Sequence, residues 1–207
     1  MILIGVCRQS KRDEAALAVA EAALSAGRKR YCFLEIGDRQ EGDPEAFMQE
    51  IHRRLNDGGL WRRKRLFSQD RRPKKTVTDR PKVVALEDGA GTIDGLRNRG
   101  VVVEAIRFSP VEKWQKELVG KALGANYTVA PGHILTAAAS VFEEGRVDVP
   151  LGQGKKEGAE TVIDRICGEL AAAKGARIDG LSASALAVAL VLWFRETVPY
   201  RRAYRAN

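Results

Sequence analysis

Apolar positions arrive in short runs separated by charged stretches, and the spacing inside each run sets the element it predicts. ILIGV (2–6) reads as a short buried strand, ALAVAEAAL (16–24) and RYCFLEIG (30–37) as two further apolar runs. A Gly-Arg-Lys turn signal at 27–29 separates the last two, so three strands in meander order are expected. The middle run is Ala-rich and also carries helical spacing over 13–24, so propensity by itself favours a helix there. Both readings stay open on sequence. PEAFMQEIHRRL (44–55) sets Phe47, Ile51 and Leu55 at i, i+4 and i+8 behind an Asp-Pro start, which predicts an amphipathic helix ended by residues 56–59.

KVVALEDG (82–89) predicts a strand, TIDGLRNRG (92–100) a short helix closed by Gly100, and VVVEAIRFSP (101–110) a strand stopped by Pro110. That order implies a right-handed parallel crossover. Residues 111–123 read as a second amphipathic helix and GHILTAAASVFEEG (132–145) as a third with a glycine stop, followed by a short extended piece, RVDVP (146–150). Helices over 161–173 and 181–196 close the pattern. The last is apolar on nearly every face, which marks it as central and buried. No internal repeat stands out.

Composition narrows the class. A chain of 207 residues with 44% hydrophobic content supports one sizeable core, and a single domain over 1–207 is expected. Thirty-five Lys and Arg against 27 Asp and Glu leave a net charge of +8, which favours a polyanionic partner or an anionic surface. Cys7, Cys32 and Cys167 are odd in number and widely spaced, so neither a disulfide framework nor a paired-cysteine zinc site is indicated, and a reducing cytoplasm fits. The longest apolar stretch, 185–194, falls short of the ~20 residues a membrane helix needs, and no basic region precedes a long apolar run at the start; a soluble, unexported protein without a membrane partner is expected.

Two stretches depart from globular composition. Residues 61–82 hold ten Lys or Arg with only Asp70 and Asp79 against them, interleaved with Trp61 and Phe67. This reads as a basic arm or protruding hairpin in which Arg62, Arg63, Lys64, Arg65, Arg71, Arg72, Lys74 and Lys75 contact phosphates, against the alternative of a merely solvated segment. The tail at 199–207 repeats the mixture with Arg201, Arg202 and Arg205 beside two tyrosines, the composition of backbone-directed nucleic-acid binding.

Candidate chemistry lies in the acids. VVALEDGAG (83–91) is a buried-strand run ending in Glu87, Asp88 and a glycine turn. Carboxylates gathered from distant positions hold one or two Mg²⁺ ions, which activate water and steady the leaving oxygen in phosphodiester cleavage. With only His52 and His133 present, histidine-based catalysis is poorly supplied. Strand alternation sends Glu87 and Asp88 to opposite faces, and Glu87 is the preferred ligand. Each acid also has a plain structural role: Asp-Gly at 88–89 is a common turn pair, while Asp13 and Asp179 suit helix caps or surface charge. Cys7 in an apolar strand reads as an inert buried thiol. GQGKKEG (152–158) lacks the phosphate-loop spacing and reads as a flexible loop, so no phosphate-loop ATPase is indicated.

The order of these segments resembles the nuclease domain of phage terminase large subunits, a branch of the ribonuclease H-like fold. IGVCRQSKRDEAALAVAE (4–21) is similar to that family's first strand, turn and second strand, and ALEDGAGTIDGLRNRGVVVEAIRFSP (85–110) to its acidic strand end, glycine turn and next strand. FEEGRVDVP (142–150) and DGLSASALAVALVLW (179–193) resemble its extended segment and its Ala-Leu-rich last helix. The resemblance implies a mixed α/β sheet with three antiparallel strands followed by parallel strands and helices on both faces. It implies Mg²⁺- or Mn²⁺-dependent cleavage of DNA, with Glu87, Asp179 and Asp13 as metal ligands and Asp88 assisting. It also implies a phage- or prophage-encoded protein in the bacterial host's cytoplasm, working with a separate packaging ATPase or portal protein. Cys7 stands where the family carries an acid at the end of the first strand, and a soft thiolate suits zinc rather than magnesium. A non-catalytic DNA-binding or assembly module of the same fold is therefore the competing expectation, with a Holliday-junction resolvase-like nuclease as a third.

Overall fold

The computed structural model describes residues 1–9, 14–25, 27–40, 43–56, 81–87, 91–120, 123–148, 162–173 and 178–199. One eight-stranded sheet organises them, in the order β6-β7-β5-β4-β1-β2-β3-β8. Strands β1 (Ile2–Gln9), β2 (Glu14–Ser25) and β3 (Arg28–Gln40) form the expected antiparallel meander. Beyond β1 the sheet turns parallel, through β4 (Lys82–Leu86), β5 (Val103–Phe108) and β7 (Gly124–Val129). The centre of this order, three antiparallel strands followed by parallel ones with helices on both faces, is the mixed α/β arrangement expected from the sequence.

The ambiguous Ala-rich run is a strand. Its backbone groups pair on both sides, with β1 and with β3, and that tertiary pairing outweighs the helical propensity of alanine. The small side chains have a packing use. Ala16, Ala18, Ala20 and Ala22 alternate onto the face covered by the last helix, α5 (Ala183–Thr197). Twelve consecutive residues of α5, from Ala183 to Phe194, are buried, and the helix lies on β1, β2, β3 and β4 with α3 (Pro131–Glu143) and α4 (Val162–Ala172) beside it. Each fully buried Leu, Val or Phe there contributes about 1.5–3 kcal/mol. The closest approach is at Gly5, where a Cβ would stand 2.1 Å from the Ala187 carbonyl oxygen. The other face is covered by α1 (Pro44–Asn56) and α2 (Thr92–Asn98), which bury Phe47, Met48, Ile51, Ile93 and Leu96 against Ile4, Val6, Val83 and Ala85.

Two expectations are corrected. Residues 111–123 do not form an amphipathic helix: Gln115–Gly120 is the edge strand β6, hairpinned onto β7. The turn into β7 uses Gly124 at φ +95°, where a Cβ would meet the Val103 carbonyl oxygen at 2.3 Å, and GANYTV then alternates half-buried and buried positions with the period of a strand. The cap of α5 is Ser182 rather than Asp179; its hydroxyl accepts a hydrogen bond from the Ala185 N–H. Asp179 sits earlier, in the 3₁₀ turn Ile178–Gly180. RVDVP contributes the two-residue strand β8 (Val147–Asp148) beside β3. Among the described residues no helix is long and apolar enough to cross a membrane.

Candidate functional site

Parallel pairing aligns the carboxyl ends of the central strands. Val6 pairs with Ala85, and Leu86 with Ile106, so the ends of β1, β4 and β5 lie side by side; the Glu87 N–H extends the ladder by donating to the Ile106 carbonyl at 2.7 Å. The start of α5 joins them, because the Gln9 side-chain amide donates to the Leu181 carbonyl at 3.1 Å. Backbone topology thus brings the ends of β1, β4 and β5 and the beginning of the last helix to one edge of the sheet.

Among the described residues, Cys7 and Glu87 do not follow the backbone to a common point. Leu3 and Cys7 alternate onto the α5 face, where Cys7 is completely buried, and Ile4 and Val6 onto the α1/α2 face. On β4 and β5 the residues of the α1/α2 face are Val83, Ala85, Val103 and Ala105. The same alternation carries Glu87 and Arg107 to that side, away from Cys7 and α5. There the two form a bidentate pair, Arg107 Nε to Glu87 Oε2 at 2.6 Å and Nη2 to Oε1 at 2.8 Å, with the arginine 65% and the glutamate 39% exposed. Arg107 holds the Glu87 carboxyl below the usual carboxylate range against the opposing effect of burial, and Arg97 on α2 adds to the shift; the pairing raises the Arg107 guanidinium in turn.

Two acids that the sequence reading passed over stand at the start of α5. Glu14 Oε2, at the head of β2, accepts from the Ala183 N–H at 3.3 Å. Glu169 Oε2, on α4, accepts from the Ser182 N–H at 2.9 Å and the Ser182 hydroxyl at 2.7 Å. Ser184 Oγ lies 3.0 Å from Ser182 Oγ and accepts from Arg165 Nη2 at 3.4 Å. Carboxylates on the first amides of a helix satisfy orphan donors and complement the positive end of its dipole, so Glu14 and Glu169 serve α5 as caps. Nothing in their sequence spacing announces this, since the two lie 155 positions apart and meet only through the sheet and α4.

Of the four candidate acids, the structure describes the side chain of Glu87 alone. Asp13 and Asp88 lie outside the described residues, as do the Asp179 side chain, the basic residues Arg62–Lys75, GQGKKEG, and Arg201, Arg202 and Arg205 of the tail. The described donors do not fit a magnesium or manganese centre. Both Glu87 oxygens are engaged by Arg107, those of Glu14 and Glu169 that face α5 are engaged by its amides, Cys7 is a buried soft ligand, and no group of three or more His, Cys, Asp or Glu is arranged to hold a metal among the described residues.

No family model and no curated protein matches the chain. Among solved structures it is similar to the Thermus thermophilus RuvC structure, at 14% identity over 95% of this chain and 96% of that one, with a TM-score of 0.40.

Proposed function

We propose that the chain is a DNA-binding domain of the ribonuclease H-like fold that engages the phosphate backbone, its described acids Glu87, Glu14 and Glu169 being committed to Arg107 and to the start of α5. The observation that carries this reading is the disposition of the first two acid positions. The first-strand position holds Cys7, buried against α5, and the second holds Glu87, on the opposite face and clamped by Arg107. The basic stretches of the sequence supply the sequence-independent attraction to phosphates that such a role requires.

The experiment combines two readings of one incubation of full-length protein with supercoiled plasmid and Mn²⁺. Retardation that disappears at high salt, with the plasmid left supercoiled, supports the binding domain. No retardation at low salt overturns it.

A second reading, metal-dependent phosphodiester cleavage of the terminase or junction-resolvase kind, draws on the convergence of strand ends with the start of α5. It also draws on the exposure of the Glu87–Arg107 pair: solvent screens an exposed ion pair and leaves it weak enough for a divalent cation to displace. Nicking that is lost in Glu87→Ala would favour this second reading.

A further inference from the structure

The sheet ends on two edges that differ in kind. At one, β8 is two residues long and its Asp148 pairs with Arg30 at 2.6 Å, so little backbone is offered to another strand. At the other, β6 runs six residues from Gln115 to Gly120, and among the described residues it pairs with β7 alone. Its outward N–H and C=O groups face away from the rest of the sheet.

The side chains on this edge are not those of an ordinary surface. Among the described residues four large apolar side chains are exposed. Leu24 and Val162 stand on β2 and α4, whereas Leu118, 75% exposed, and Val119, 41% exposed, are neighbours on β6. Single apolar residues scattered over a surface need no explanation, but an adjacent pair on an open strand does. Register gives Leu118 its face. It stands opposite Ala125, and Lys116 opposite Tyr127, both on the side of the sheet covered by α5, while Gln115 and Glu117 take the other face. The Lys116 ammonium lies 5.6 Å from the centre of the Tyr127 ring, and Trp114, just before the strand, packs on Tyr127 and Trp193 with ring centres 6.0 and 6.4 Å away. These contacts hold the edge in place and lower the ordering cost of pairing.

The residues of β6 select the occupant. Two copies that join this edge antiparallel about a two-fold axis set residues of the same face opposite one another, so the axis passes through one residue. An axis at Gln115 or Val119 runs the pairing off an end of the strand. An axis at Lys116 sets two ammonium groups directly opposite, and an axis at Glu117 two carboxylates, both destabilising. An axis at Leu118 sets the two exposed leucines against each other and lays the Lys116 stem beside the partner's Leu118. Strand length and charge together leave that register.

We propose that the β6 edge is a self-association surface, through which two copies of this chain form a homodimer with a continuous antiparallel β6–β6 ribbon and Leu118 on the two-fold axis. The contact uses the same edge of both copies, so assembly stops at two. One six-residue edge is small beside the ~1,200–2,000 Å² of stable complexes, and the net charge of +8 on each copy opposes their approach, so the dimer is weak, with a dissociation constant in the micromolar range or above. The inference is independent of the DNA-binding reading.

Sedimentation velocity of the full-length protein, freed of nucleic acid, over a concentration series at low and high salt tests it. The wild type is expected to pass from monomer to dimer as concentration rises, and to do so at lower concentration in high salt, where repulsion between like-charged copies is screened. Leu118→Lys sets two ammonium groups on the axis and is expected to weaken the dimer by about tenfold or more, while Leu24→Lys, at a similarly exposed leucine, matches wild type. Both side chains are exposed, so both proteins keep the wild-type circular-dichroism spectrum and melting temperature. Cross-linking reads the register. Residues directly opposite have Cα atoms about 4.5–5.5 Å apart, within disulfide reach, so Leu118→Cys is expected to give a covalent dimer under mild oxidation, with wild type as the blank. Glu117→Cys, whose copies lie diagonally at about 7–8 Å, is expected to cross-link far more slowly. A protein that stays monomeric throughout, a dimer that dissolves as salt rises, a dimer weakened equally by Leu24→Lys or indifferent to Leu118→Lys, or cross-linking as fast at 117 as at 118 overturns the proposal.

Discussion

Replacing Gly5 by alanine probes the contact on which the whole arrangement turns, the seating of α5 on β1. The added Cβ would lie 2.1 Å from the Ala187 carbonyl oxygen and 2.8 Å from Val191 Cγ2, whereas ordinary contact begins at 3.4 Å. The first obstacle is helix backbone, which no side-chain rotation relieves, so the helix has to retreat by about 1.3 Å along its most tightly packed stretch. Overpacking of this kind costs ~1–3 kcal/mol, and a rigid backbone obstacle places Gly5→Ala at the upper end. At ~2–4 °C per kcal/mol for a chain of this size, the melting temperature is expected to fall by about 6–12 °C. Gly132→Ala is the internal control: it lies in α3, no heavy atom is within 4 Å of its would-be Cβ, and alanine is the better helix former by up to ~1 kcal/mol, so its melting temperature stays level or rises. Thermal unfolding followed by circular dichroism separates the two. A Gly5→Ala protein that melts within 2 °C of wild type would refute the seating of α5 on β1.

Other substitutions report on the site and on pH. Ser182→Ala removes the hydroxyl that caps α5 and meets Glu169, and is expected to cost ~1 kcal/mol, read as a drop in the urea midpoint. Glu87→Gln frees Arg107 from a solvent-screened pair, so the melting temperature should stay close to wild type and duplex affinity should not fall, as fluorescence anisotropy would show. Glu50 is lowered to about 2, first by its hydrogen bond to Arg53 and then, against burial, by Arg54; Glu196 is lowered because its bonds to Arg146 and Tyr31 outweigh its burial. Lowered carboxyl values stabilise the fold above the ordinary value of 4.5 and lose that contribution as pH falls through the folded-state value. The urea midpoint should therefore decline between pH 4.5 and about 2, with a shallower decline in Glu196→Gln.

Much of the fold was legible because it is written in local periodicity. The runs at 2–6, 30–37, 44–55, 82–89 and 181–196 each carry one dominant pattern, and each contains the element that pattern predicts. The run at 14–25 carries two, and only pairing with β1 and β3 decides between them. Residues 111–123 misled because Val111, Trp114 and Leu118 mimic helical spacing, although Gly120 and Gly124 mark a hairpin turn. The site was less legible for a different reason. The sequence shows that Glu87 ends a buried strand, but the face it takes depends on which residues of β4 and β5 pack under α1 and α2. It shows no sign that Arg107, one strand away, matches the register of Glu87, or that Glu14 and Glu169 meet at the start of α5. Such pairings exist only once the sheet has formed.

Calorimetric titration of Mn²⁺ into the full-length protein tests most directly whether an acidic metal centre is assembled. No saturable binding in the micromolar range, and identical traces for wild type and Glu87→Ala, is the result expected of a domain that binds DNA without gathering its acids. A single saturable micromolar site that vanishes in Glu87→Ala would contradict it.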